Sequence, residues 1–212
     1  VRNAKRKLIK EKQYMPAKVI KLENVRLSFP DIFQPRKQDD GSKGSYGASL
    51  IMAPDHPAVQ IIAAEMIALA KEKWPKDHEV NYAAMKETAR LCLRGGAGKA
   101  KFAGYKGNVY ISANNKSPIK VFDSKNRMIT SECEEAPYAG CNVNATVELW
   151  VQDHPSFGQR INATLRGIQF HSDNEAFGSG SVAEDDEFGA PTEGADADMP
   201  QTEATGDVET FL

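Results

Sequence analysis

The chain has no lysine or arginine after Arg166, although it carries 27 such residues up to that point. From Asp173 to Leu212 it carries twelve acidic residues, set among Gly, Ser, Ala, Pro and Thr. A stretch of this kind buries too little apolar surface to offset its chain entropy, so residues 173–212 are expected to be a disordered acidic tail. The tail nevertheless ends on Phe211 and Leu212, just after Asp207 and Glu209. An acidic string with an apolar tip reads as an interaction tail; the plainer reading is a solvated linker end.

Cysteine is scarce as well. Cys92, Cys133 and Cys141 make an odd count that cannot form a disulfide framework, which favours reduced thiols and a location inside a cell. No apolar run approaches membrane-spanning length, so no membrane partner is expected, and the N-terminal segment lacks the apolar core of a signal peptide. The Asn144 and Asn162 sequons read as polar strand positions.

Catalytic spacings are missing too. His56, His78, His154 and His171 are scattered, and neither Cys-x-x-Cys nor His-Glu-x-x-His occurs, so no metal and no cofactor is expected. There is no Gly-x-Ser-x-Gly elbow. Around Gly98-Lys99 a phosphate loop would need Gly where Leu93 stands and Ser or Thr where Ala100 stands. A nuclease needs carboxylates projecting from strands toward one metal, and the expected strands offer only Glu23, Glu148 and Asp153. A binding protein is the better reading, with a nuclease or recombination endonuclease subunit as the alternative and a protein–protein adaptor as a third class.

The 27 Lys and Arg before Asp173 face 17 of the 29 acidic residues, leaving a formal +10 on the body against −12 on the tail. A basic body suggests a polyanionic ligand that the tail can imitate. Residues 1–17 read as a mobile basic arm. Lys18 to Phe29 alternates as a strand, with Val25, Leu27 and Phe29 on one face and Asn24, Arg26 and Ser28 on the other. Tyr46 to Met52 is a second strand. Pro57 to Trp74 has Val59, Ile62, Met66 and Leu69 at helical spacing, and Asn81 to Arg90 reads as a further short helix. Val109 to Asn114 follows as a strand. Ile119 to Phe122 and Arg127 to Thr130 then flank a turn at Asp123–Asn126.

Cys141 to Gln152 gives the cleanest alternation, with Trp150 the only large apolar ring in its polar row. Ile161 to His171 repeats that pattern until Gly167 shifts the phase, as a bulge would. The fold class expected is mainly β: an OB-fold-like antiparallel barrel with one long helix, placed earlier in the chain than in a standard version, plus the disordered acidic C-terminal tail.

The stretch from Arg94 to Gly107 interleaves five glycines with cations and rings. Single-stranded nucleic acid takes cations on its phosphates and aromatic rings on its bases. The candidate DNA-binding residues are therefore Arg94, Lys99, Lys101, Tyr105 and Lys106 from this stretch, with Arg26, Tyr110, Trp150 and Arg166 from the polar strand faces. An ordinary surface loop with Phe102 tucked into the core is the plainer reading. Phe211 and Leu212 are the candidate partner-binding residues.

Several pieces in order resemble the phage single-stranded-DNA-binding proteins. These are Val25-Arg26-Leu27-Ser28-Phe29, Phe33-Gln34-Pro35, Tyr46 to Met52, and Tyr105-Lys106-Gly107 followed by Val109 to Asn114. Tyr138-Ala139-Gly140-Cys141, Leu165-Arg166-Gly167-Ile168-Gln169 and Ala183-Glu184-Asp185-Asp186-Glu187-Phe188 continue the series. The resemblance implies an OB-fold domain over 18–172. It implies sequence-tolerant, non-catalytic binding of single-stranded DNA in phage replication or recombination, in the cytoplasm of an infected bacterial host. It also implies that the tail recruits replication partners such as a DNA polymerase. Here the tail runs well past Phe188 to a second apolar end, so either end can be the hook.

Overall fold

The computed structural model describes residues 18–178 apart from Gln38, Asp40 and Lys43. The expected basic arm and the tail beyond Gly178, with Phe211 and Leu212, lie outside the described residues.

Strands β1 (Val19–Asp31), β2 (Tyr46–Met52), β4 (Val109–Asn115), β6 (Asn142–His154) and β7 (Gly158–Ser172) close into a barrel. β1 pairs antiparallel with both β2 and β6, and β2 pairs antiparallel with β4. The long β6–β7 hairpin is also antiparallel. A parallel contact of β4 with β7, Ala113 opposite Ala163, completes the ring. This is the OB-type solution to exposed sheet edges, as the strand signals implied. β3 (Leu93–Gly95) extends β4 at one side, and β5 (Lys120–Phe122) runs parallel to β7 at the other.

β6 and β7 follow the alternation read from the sequence. Val143, Ala145, Val147, Leu149, Ile161, Ala163 and Leu165 fill the barrel. Arg166 is the extra residue where the register slips between Thr146 and Val147, and beyond Gly167 the buried positions become Ile168 and Phe170. In β1 the alternation fails twice. Asn24 adopts a left-handed φ of 52° at a register shift, so Leu22 and Val25, three apart, both point inward. Phe29 has φ 48° beside a second shift and is 41% exposed, which corrects its expected place in the core.

Both helices lie in the β2–β4 connection. α1 (Pro57–Lys73) starts where Pro57 supplies a pre-set first turn. The His56 ring caps it: Nδ1 accepts from Ala58 N at 3.2 Å, and Nε2 lies 3.0 Å from Glu23 O, tying the cap to β1. Ala58, Ile62, Met66 and Ala70 form its buried stripe, with Val59 and Leu69 at the flanks. Trp74 ends it, donating from Nε1 to Asp153 Oδ2 at 3.2 Å. α2 (His78–Glu87) confirms the short helix, begun slightly earlier than the sequence suggests, and buries Met85. Among the described residues no helix is long and apolar enough to cross a membrane.

Candidate nucleic-acid interface

The glycine-rich stretch lies across the outer faces of β1, β2 and β4. It folds as β3, a single 3₁₀ turn (Gly96–Lys99) and further tight turns. Gly96 N donates to Asn108 O at 2.8 Å, and Gly96 backs directly onto the carbonyl of Tyr105, where any Cβ would collide. Tyr105 is the anchor of the stretch. It is 0% exposed, donates its hydroxyl to Ser28 Oγ at 3.2 Å, and meets the Tyr110 ring edge-on at 5.1 Å. Ile51, Tyr105 and Tyr110 thus form a small second core outside the barrel.

Above that core stands Lys99. Its Nζ is 5.1 Å from the Phe29 ring centre, 5.1 Å from Tyr105 and 4.8 Å from Tyr110. Three ring faces directed at one ammonium hold the cation in place by cation–π attraction. Phe29 meets Phe102 edge to face at 5.2 Å and 89°, and both rings are partly exposed. The left-handed φ of Phe29 is rare for a bulky residue, and such strain clusters at binding sites. These rings, Lys99 and Arg36 line a cavity of about 510 Å³ whose floor includes Ser112 and Asn114.

Ser112 and Asn114 also belong to a second cavity of about 530 Å³, so the two form one trough across β4. Trp150 stands in this second part, 42% exposed on β6 opposite Asn162. Arg90, Arg94, Lys116 and Arg160 supply its cations. Arg94 pairs through the ladder with Tyr110, donates from Nη2 to Ser112 Oγ at 3.3 Å, and places its guanidinium 5.3 Å from the Tyr110 ring centre. Its Nε is buried without a hydrogen-bond partner. Cys92 is the thiol of this cavity. Burial pushes it up to about 11, so it stays protonated near neutrality and is a poor nucleophile. Among the described residues no group of three or more His, Cys, Asp or Glu is placed to hold a metal.

Of the residues expected from the sequence, Arg94, Lys99 and Trp150 meet in the trough. Lys101 lies at its rim, Nζ 5.1 Å from the Phe102 ring centre, and Lys106 is exposed on the same stretch. Tyr105 and Tyr110 are instead buried beneath, and neither presents a face to a base. Arg166 is paired with Glu148 at 3.1 Å. Phe29, Phe102, Arg36, Arg90 and Arg160 join the trough without a signal in the sequence that singles them out. Phe102 is as plausible in a core as at a surface, and the arginines come from two separate connections and from β7, which only barrel closure brings together.

Arg26 serves the segment that follows β7 rather than the trough. Its Nε donates to Gly140 O at 3.0 Å, its Nη2 donates to Glu175 O, and its guanidinium lies 4.3 Å from the Phe177 ring centre. Tyr138 Oη lies 3.0 Å from Asp173 Oδ1 and accepts from Asn174 N, while Phe177 N donates to Ala139 O at 2.8 Å. Phe177 packs against the second core, directly beside Gly104. The folded body therefore runs on past Ser172, the end expected from the sequence, to Phe177.

A family model described as Enterobacter phage Enc34, ssDNA-binding protein, matches residues 17–200. "Putative protein p50" of Acyrthosiphon pisum secondary endosymbiont phage 1 is 39% identical over 172 residues, covering 80% of this chain and 91% of that protein. The solved single-stranded DNA-binding protein from bacteriophage Enc34 in complex with ssDNA is similar at a TM-score of 0.62 and 27% identity, covering 76% of this chain and 89% of that one. The crystal structure of gp2.5, a single-stranded DNA-binding protein of bacteriophage T7, shares the fold at a TM-score of 0.51 and 15% identity, over 82% of this chain and 99% of that one.

Proposed function

The chain belongs to the family of the Enterobacter phage Enc34 ssDNA-binding protein, and on that footing we propose that it binds single-stranded DNA sequence-tolerantly and without catalysis during phage DNA replication or recombination, in the cytoplasm of the infected host. The observation that carries this reading is the continuous trough across β4, with the Phe29–Phe102 pair at one end and Trp150 at the other. Arg36, Lys99, Arg90 and Arg160 lie between and beside the rings. Rings for successive bases and cations for the linking phosphates are what a flexible single strand requires. A duplex, whose bases are stacked on each other, offers no faces to such rings.

The site residues proposed are Lys99, Lys101, Lys106, Arg94 and Trp150, joined by Phe29, Phe102, Arg36, Arg90 and Arg160. Residues 1–17 are proposed as a basic arm and those beyond the body as an acidic tail. The tail competes with DNA for the cationic trough at a high effective concentration, and this attraction is screened over about 10 Å at 0.1 M salt. When DNA displaces it, Phe211 and Leu212, or alternatively Phe188, become available to a replication partner such as a DNA polymerase.

A gel shift on single-stranded DNA, with excess unlabelled duplex competitor and Mg²⁺ present, tests the core of this. A stable shift that duplex does not compete away is expected. Cleavage of the strand would instead indicate a nuclease, and no shift an adaptor acting through the tail.

A further inference from the structure

We propose that the tip of the β6–β7 hairpin is a further nucleobase-stacking site, with Phe157 as its platform, which takes a base of the same single strand beyond those held in the trough. The inference rests on the single-stranded-DNA reading and adds a site to it.

The register of β6 against β7 is unbroken from Val147 to His154. Trp150, Gln152 and His154 therefore share one face of β6. Asn162 and Arg160, the cross-strand partners of Trp150 and Gln152, stand beside them on that face. Among the described residues, Val19 opposite Glu148 is the last pairing of β6 with β1, so the end of the hairpin projects past that strand. Between Trp150 and Asn162 the chain has one acidic residue, Asp153. It lies on the opposite face, accepting from Trp74 Nε1 and 3.9 Å from Lys73 Nζ.

An exposed apolar ring is by itself ordinary; this one is held in place. Phe157 is 65% exposed, and its ring centre is 4.8 Å from that of His154 at an interplanar angle of 36°. His154 Nδ1 accepts from Ser156 N at 3.1 Å and from Phe157 N at 3.3 Å. Arg90 Nη1 donates to Phe157 O at 3.3 Å. Gly158, at a left-handed φ of 69°, backs onto the Arg90 guanidinium, where any Cβ would collide. Arg90 thus joins the tip to the Trp150 cavity, which it lines together with Arg160. Trp150 and His154 are four residues apart, about 14 Å along a strand. A single strand leaving Trp150 along β6 meets Arg160 and Arg90 with its phosphates and then reaches a second ring. A ring fixed in advance spares the ordering cost of binding.

The test measures the affinity of the full chain for oligo-dT of increasing length by fluorescence anisotropy, with the number of copies per oligomer read by sedimentation. Wild-type affinity is expected to rise with length until the path on one copy is filled. On the oligomer that just reaches this plateau, Phe157→Leu is expected to bind roughly 5- to 150-fold more weakly, because it keeps apolar bulk against His154 but removes the π-face. Phe157→Tyr is expected to bind as the wild type does. On the shortest oligomer that binds, all three proteins should agree. Wild-type affinity of the leucine variant at every length overturns the site. So does an equal loss at the shortest length, which marks damage to the trough. A loss confined to oligomers carrying two copies also overturns it, since the ring then touches a neighbouring protein. A leucine variant that fails to fold makes the ring a structural element and has the same consequence. If the wild-type protein binds no oligomer, the single-strand reading fails first and the site with it.

Discussion

Replacing Trp150 by alanine separates a binding ring from a core ring. Trp150 is 42% exposed, faces away from the barrel interior and sits opposite Asn162 on β7. Truncation therefore removes a cross-strand pair, worth about 0.2–1 kcal/mol. In a domain of this size that lowers Tm by no more than about 2–4 °C. Binding should suffer far more. One stacked base is worth about 1–3 kcal/mol, which converts to a loss of roughly 5- to 150-fold in affinity. Anisotropy with a labelled dT oligomer at fixed salt reads that loss, and thermal unfolding reads the stability. Intrinsic fluorescence gives an independent signal, because the chain has two tryptophans. Trp74 is tied by its indole N–H to Asp153 at the end of α1 and does not line the trough, so quenching by DNA should disappear in the Trp150 variant. A fall of several kcal/mol in stability, with affinity reduced only in proportion to unfolded protein, would refute the reasoning. So would unchanged affinity.

Removing the charges of Lys99 and Lys101 together should flatten the dependence of log affinity on log salt by about 0.7 for each phosphate that the two ammonium groups neutralise; an unchanged slope in a salt titration puts the glycine-rich stretch outside the DNA path. Truncation after Gly178, which keeps the segment pinned by Arg26 and Tyr138, should tighten DNA binding more at low salt than at high. Equal affinity of the full and truncated chains at low salt ends the competition idea. Phe211→Ala with Leu212→Ala should leave DNA affinity alone and weaken partner capture, measured by co-sedimentation with a replication polymerase. Tyr105→Phe should cost about 0.5–1.5 kcal/mol for the hydroxyl bond to Ser28, and Tyr105→Ala about 3–5 kcal/mol, both by denaturant unfolding. A Tyr105→Ala protein of normal stability that binds DNA weakly would return that ring to the interface.

The parts of the fold legible in the sequence are those where one strand face meets the core and the other meets water. β6 shows this best, with Val143 to Leu149 buried at every second position and Trp150 left as the exposed exception. The bulge at Arg166 is readable because Gly167 visibly breaks the period. In β1 the same rule misleads. Two left-handed residues, Asn24 and Phe29, reset the alternation, and neither is a glycine that would announce it. Tyr105 looks exposed in the sequence because it stands in a glycine-rich, cationic stretch, and Tyr110 because alternation identifies the side facing away from the barrel. It does not reveal that another segment covers that side. β3, three residues long, carries no periodic signal. The arginines of the trough are hidden for a topological reason: Arg36, Arg90 and Arg160 belong to different parts of the chain, well separated in sequence.

The closure of the barrel also sets the order in which the chain can acquire structure. β1, made before the other barrel strands, needs β6 as its neighbour, and Leu22 meets Ala145 only after more than a hundred further residues are made. The last seam, Ala113 to Ala163, waits for β7. Pairings this distant in sequence are slow to form, because loop-closure entropy must be overcome before any contact compensates for it. A nascent chain stopped before β7 therefore carries β4, β2, β1 and β6 as an open sheet with unpaired edges and exposed apolar faces, the kind of surface on which chains aggregate. Premature termination anywhere upstream of Phe170 should yield insoluble fragments rather than a smaller working domain, and productive folding waits until β7 has been made.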